Sequence, residues 1–339
     1  MERTKPFPPN PIHRFYDWLD GLPIPMWLFY PLLLLLLGLF LHVLAWTRDL
    51  LLLGQFKLIY FVNFIWLVES LALLHFLLRA SGPLLDGYRV YLDLDEKDFL
   101  RLRYEFTTIP NLFGSLFFLL GLVMGSVAGF FTVPLTPEID FPSFAYAQWP
   151  VSMGFAMISS YFTIRQLHLI PRLFDLTKRI RLSYLEPIYA FSHYTAIVGF
   201  GIFMISAVNS FLIAPSNFEN AYSSALLYIF MVFVLAIFYL PLRGINQRLV
   251  VEKKRLLRDV GARMEKMFAR IHLAEEKENY KDALGLRNLL SALNYEKVWV
   301  ESISTWPWKP RTFTTLLSAL FLPTILSLLN SIISRLLGL

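Results

Sequence analysis

The sequence predicts an all-α fold: a polytopic membrane protein of about seven transmembrane helices, with a helical hairpin outside the bilayer before the last of them. Three observations carry that expectation. Of the 339 residues 56% are hydrophobic and 17% charged, with a mean hydropathy of +0.53, which is more apolar surface than a soluble chain of this length can bury. The apolar residues fall into runs of about 20, the length at which a helix crosses a bilayer. Finally, 28 of the 31 Lys and Arg residues sit in alternate connections between those runs.

The elements follow in order. The opening "MERTKPFPPNPIHRFYDW" puts prolines and charges ahead of the first apolar run, and no small-residue cleavage site follows it, so the first helix is expected to be retained. The runs span residues 26–46, 57–78, 111–133, 149–170, 188–213, 223–242 and 313–337. In the third, Gly121, Gly125 and Gly129 recur every four residues, with Gly114 two turns earlier, a spacing that lets a neighbouring helix approach closely. Residues 1–242 thus hold six helices with short loops, 243–311 a charged interval, and 312–339 the last helix. The interval is helical by its periodicity: Leu257, Val260, Met264, Met267, Phe268 and Ile271, a polar break at "EEKENYKD", then Ala283, Leu286, Leu290 and Leu293. That pattern is a hairpin, whose first arm is expected to continue the sixth membrane helix. Its second arm ends at "TWPWKP", where Pro307 and Pro310 stop the helix, Trp306 and Trp308 suit the headgroup layer, and Lys309 and Arg311 suit anionic lipid.

The charge census orients the chain. Lys and Arg number 3 in the N-terminal segment, 5 in 79–103, 5 in 165–181 and 15 in 243–311, whereas the other side has only Arg48, Lys57 and Arg335. The positive-inside rule then puts the N-terminus and the hairpin in the cytoplasm and, with seven helices, the C-terminus outside. The net charge of +6 and pI near 9.4 are accordingly a topology signal and no pointer to nucleic acid. The expected partners are the lipid bilayer, at the plasma membrane, and further copies of the chain. The absence of cysteine excludes disulfides and thiolate-ligated metals.

Chemistry is sparse. The sequence contains no HExxH, GxSxG, P-loop or GxGxxG motif, so neither an enzyme activity nor a cofactor is expected from motifs. His75, His168 and His193 fall near the cytoplasmic ends of their helices without the i, i+4 pairing of a helical metal site, and no metal site is assigned. Glu69 lies in the middle of the second run, with Asn63 nearly two turns before it. A carboxylate at that depth costs several kcal/mol unless paired, protonated or wetted, and marks a functional position. In the last run Thr324, Ser327, Ser331 and Ser334 step by three, four and three residues onto one helix face, with Asn330 beside them, Leu320 one turn before and Pro323 as a flexing point. This seam either packs against neighbouring helices or lines water.

Seven helices, a cytoplasmic N-terminus, a cytoplasmic helical extension before the last helix and a polar streak on that helix form a plan that resembles the insect odorant and gustatory receptor superfamily of ion channels. "TFTTLLSALF" partly echoes a short motif around a Thr-Tyr pair in that family's last helix. The resemblance implies a tetramer anchored by the cytoplasmic helices, with the last helices around a central pore. It also sets the chain apart from G-protein-coupled receptors, whose orientation is opposite. Three functions stay open: a homo-oligomeric channel with Leu320, Thr324, Ser327, Asn330, Ser331 and Ser334 lining the pore, a membrane-embedded carrier or enzyme using Glu69 and the histidines, and a non-conducting scaffold. Ligand and ion are not legible.

Overall fold

Caps and prolines set where the first helices begin. Asn10 opens α1 (Pro11–Asp20) by accepting from the Ile12 amide at 2.9 Å, and Pro11 in the first turn forfeits no helical bond. α2 (Met26–Thr47) and α3 (Ile59–Tyr88) run antiparallel around the 48–58 connection, where Asp49 (φ 55°) and Gly54 (φ 87°) supply left-handed backbone. Asp95 caps α4 (Glu96–Thr107) by accepting from the Asp98 amide at 2.7 Å. Then come α5 (Asn111–Thr132), α6 (Pro142–Asp175), α7 (Glu186–Ile213), α8 (Ala221–Glu276) and α9 (Tyr280–Ser302). The computed structural model describes residues 6–135, 140–177, 180–213, 221–277, 280–309, 311, 313–315, 317, 318 and 321, with side chains for all of these except 135, 204–231, 233, 280, 282 and 283.

The protein is all-helical among the described residues, with two isolated bridges, Pro9 to Pro110 and Leu92 to Thr177, as its β pairing. Among the described residues four helices are long and apolar enough to cross a membrane, over Met26–Thr47, Ile59–Tyr91, Asn111–Thr132 and Val234–Glu276, and they make this a membrane protein. The expected runs at 149–170 and 188–213 fall in α6, with 34 residues, and α7, with 28. Most of the run at 313–337 lies outside the described residues.

The close packing of α5 on α6 follows from glycine. A Cβ at Gly121 would stand 2.5 Å from the Met153 carbonyl oxygen, and one at Gly125 would stand 2.5 Å from that of Trp149, so the two backbones touch where a side chain would separate them. α3 packs on α2, α6 and α7, and α7 on α8. The main core gathers Leu74, Leu77, Leu85, Tyr88, Phe106 and Phe162, all fully buried. Tyr88 extends it into an aromatic cluster with Phe174 and Phe191 at ring separations of 5.0–5.9 Å.

α8 runs unbroken for 56 residues through Pro241 and leaves the bundle to pair with α9. The arms are antiparallel: Arg263 meets Glu296 at 2.7 Å, Arg287 meets Glu275 at 2.6 Å, and Lys253 Nζ donates to the carbonyls of Glu301 and Ile303, each at 2.7 Å. Exposed ion pairs contribute little, about 0–1 kcal/mol each, so burial of Val260, Ile271 and Val300 is the stronger hold. Asn246 Nδ2 donates to the Thr305 carbonyl at 2.9 Å and closes the base of the hairpin.

Candidate functional site

α6 carries a polar stripe through an apolar bundle. Ser152, Ser159, Thr163 and Gln166 step by seven, four and three residues, onto one face, and all four are buried. On α3, Asn63 and Ser70 are likewise seven apart. α3 and α6 lie parallel here: Trp66 meets the Trp149 ring at 5.0 Å, Ser159 Oγ comes within 3.5 Å of the Ser70 carbonyl, and Tyr194 of α7 reaches both Leu77 and Gln166. The contacts define two levels of the seam, Ser70 with Ser159 and Gln166 with Tyr194, about 10 Å apart, and Ser152 lies two turns before Ser159 on the same face of α6.

The Gln166–Tyr194 level is satisfied. The Tyr194 hydroxyl donates to Gln166 Oε1, and Gln166 Nε2 donates to the Phe106 carbonyl at 3.2 Å. Ser159 donates to the Phe155 carbonyl at 2.7 Å, the usual outlet for a hydroxyl within a helix. By contrast Ser70 Oγ, Ser152 Oγ and Thr163 Oγ1 are buried with no hydrogen-bond partner among the described residues. An unpaired buried polar atom is costly, and such atoms concentrate where a protein does something with them.

Glu69 is half-buried next to this seam, and its Oε2 also has no hydrogen-bond partner among the described residues. It shares a face with Leu73, one turn along, which turns to α7: Leu73 Cδ1 lies 2.8 Å from where a Gly201 Cβ would be. Arg165 of α6 is engaged away from Glu69. Its Nη1 donates to the Thr108 carbonyl at 2.7 Å and its guanidinium stands 4.9 Å from the centre of the Phe7 ring.

A second cluster was not anticipated. His75, nearly fully buried, bridges Tyr30 of α2 through Nδ1 at 2.9 Å and Asp20 of α1 through Nε2 at 3.0 Å, and Arg79 adds a 3.3 Å contact to the same Asp20 oxygen. A carboxylate only accepts, so Nε2 carries a proton; in the neutral ring Nδ1 then accepts from the Tyr30 hydroxyl. Tyr16 donates to the Leu71 carbonyl at 3.0 Å beside it. The cluster ties α1 to the α2–α3 pair. His168 lies 3.4 Å from Arg172, and His193 faces Lys309 and Arg311 across a groove, so the three histidines do not converge. Among the described residues no set of three His, Cys, Asp or Glu side chains is placed to hold a metal.

The expected interface anchors do come together. Trp306 and Trp308 stack on each other at 4.5 Å and meet Tyr239 and Phe238 of α8 at 5.7 and 5.3 Å, and Lys309 pairs with Glu186 of α7 at 3.0 Å. Arg311 lines the same groove. Leu320, Pro323, Thr324, Ser327, Asn330, Ser331 and Ser334 lie outside the described residues.

Fold and site together define a helical membrane protein with a polar interior seam. No protein-family model, no curated protein and no solved structure matches the chain.

Proposed function

We propose that the chain is a subunit of a homo-oligomeric plasma-membrane channel, the tetramer favoured, with seven spans, a cytoplasmic N-terminus and hairpin, and the helix within 312–339 lining the pore. The observation that supports this best is the surface of the hairpin. Residues 243–311 hold 15 Lys and Arg, too many for the bilayer, yet Phe268, Leu273, Leu284, Leu289, Tyr295 and Val298 are exposed there. Leu284, Tyr295 and Val298 recur on one stripe of α9. An apolar stripe facing water is an interaction surface, and in a membrane-bound chain the partner always at hand is another copy. A hairpin that holds subunits together leaves the spans free to move around a common axis, and the serines and asparagine of the last run provide a wettable lining. In detergent the protein should behave as an oligomer by light scattering, and replacing Leu284 and Tyr295 by aspartate should reduce it to monomer and abolish ion flux in proteoliposomes. A wild-type monomer overturns the proposal.

A second reading, a carrier built on Glu69, is favoured by the unpartnered Oε2 beside unpaired hydroxyls. It separates cleanly from the first. Under it Glu69→Gln abolishes pH-driven uptake by the monomer, whereas the channel reading leaves a conducting oligomer.

A further inference from the structure

Between α7 and the segment after α9 lies a groove of about 560 Å³, within the range of small-molecule sites. One wall is a single face of α7: Tyr189, Ala190, His193, Ala196, Ile197 and Phe200, at steps of one and three residues. The two alanines make it a furrow, and towards Phe200 it is wholly apolar. The opposite wall is Lys309 and Arg311, at the end nearest the hairpin, with Thr315 beyond them. Those two cations are held in place, because the stacked Trp306 and Trp308 pin the chain to α8 just before them.

The charge balance at that end is uneven. Lys309 is matched by Glu186 at 3.0 Å and rests 5.8 Å from the centre of the Tyr189 ring, but Arg311 has no acidic partner among the described residues. The end of the groove thus presents a net positive charge with a planar, bidentate donor, suited to a phosphate oxygen pair. A soluble anion would have no use for the apolar furrow, and a neutral lipid none for Arg311. We infer that this groove binds one anionic phospholipid from the leaflet on the hairpin side, its phosphate at Arg311 and Lys309 and an acyl chain along Ala196, Ile197 and Phe200. The inference needs the chain to sit in a membrane and is independent of whether it conducts ions.

The test uses the full chain in detergent with phosphatidylglycerol or phosphatidylcholine of matched acyl chains, read by native mass spectrometry. One phosphatidylglycerol per subunit should survive, retained at least fivefold better than phosphatidylcholine, and Arg311→Gln should weaken that retention roughly fivefold, as expected for one interfacial cation. Ala190→Trp, which fills the furrow from an exposed position and leaves both cations intact, should weaken it as well. Millimolar glycerol phosphate should leave the bound lipid in place. Equal retention of the two lipids, indifference to both substitutions, or displacement by glycerol phosphate would each overturn the assignment, the last by showing a site for a free anion.

Discussion

Asp140 precedes α6 and receives Lys57 Nζ at 2.6 Å together with the Tyr60 hydroxyl, so one carboxylate locks α6 to the start of α3. Burial pushes its pKa up, but the two hydrogen bonds and the lysine charge outweigh it and leave the carboxyl below its ordinary 3.8. A carboxylate depressed in the folded state stabilises at pH values above its unfolded pKa, and the contribution is lost as pH falls through the folded one. Asp140→Asn should therefore lower stability at pH 7 by about 1 kcal/mol. The gap between mutant and wild type in melting temperature should close as pH drops below about 4. A gap that persists unchanged to pH 3 would mean that the carboxylate charge contributes nothing to this lock.

At the scale of the element, glycine spacing fixes which helices meet. Gly125→Leu would drive a side chain into the Trp149 carbonyl and Pro150 Cα, both rigid backbone at 2.5 and 2.6 Å, and should cost on the order of 1–3 kcal/mol or split α5 from α6. Gly244→Ala is the control. Nothing lies within 4 Å of a Cβ there, and mid-helix alanine should stabilise α8 by up to about 1 kcal/mol. A gain at both positions, measured by thermal melting in detergent, would show that the substitutions act through helix propensity rather than contact. The glycine face and the hairpin periodicity were legible because both are repeats within one segment. α1 was not, since its ten residues are amphipathic and short beside the apolar runs. Nor was the cluster around His75, whose partners come from 45 and 55 residues away, or the Gln166–Tyr194 bond across 28. Glu69 stands out in sequence by its charge alone, whereas Ser70 and Thr163 become informative only when the fold buries them without partners.

At the scale of the molecule, the basic connections collect at one end. α1 joins the start of α5 through Asn10, whose Nδ2 donates to Ser115 Oγ at 3.0 Å. α4 returns to α3 through Arg103 and Asp86 at 2.8 Å, and Asp175 meets Arg248 of α8 at 2.9 Å. The 48–58 connection, at the far end of α3, carries only Arg48, Asp49 and Lys57 as charges. α3 has 30 residues, about 45 Å of helix against roughly 30 Å of hydrocarbon, so its two ends emerge on opposite sides if it spans at all. With no native cysteine, single cysteines report this directly. Leu53, 88% exposed in the 48–58 connection, should react as cysteine with an impermeant maleimide added to intact cells. Under the proposed orientation, which rests on the excess of Lys and Arg at their end, cysteines at Lys97 on α4 and Lys266 on the hairpin should react only after permeabilisation. Labelling of Leu53 and Lys97 from the same side would rule out α3 as a span. The opposite pattern, Lys97 and Lys266 outside and Leu53 within, would invert the molecule and place the hairpin where it could not serve as a cytoplasmic tie between subunits.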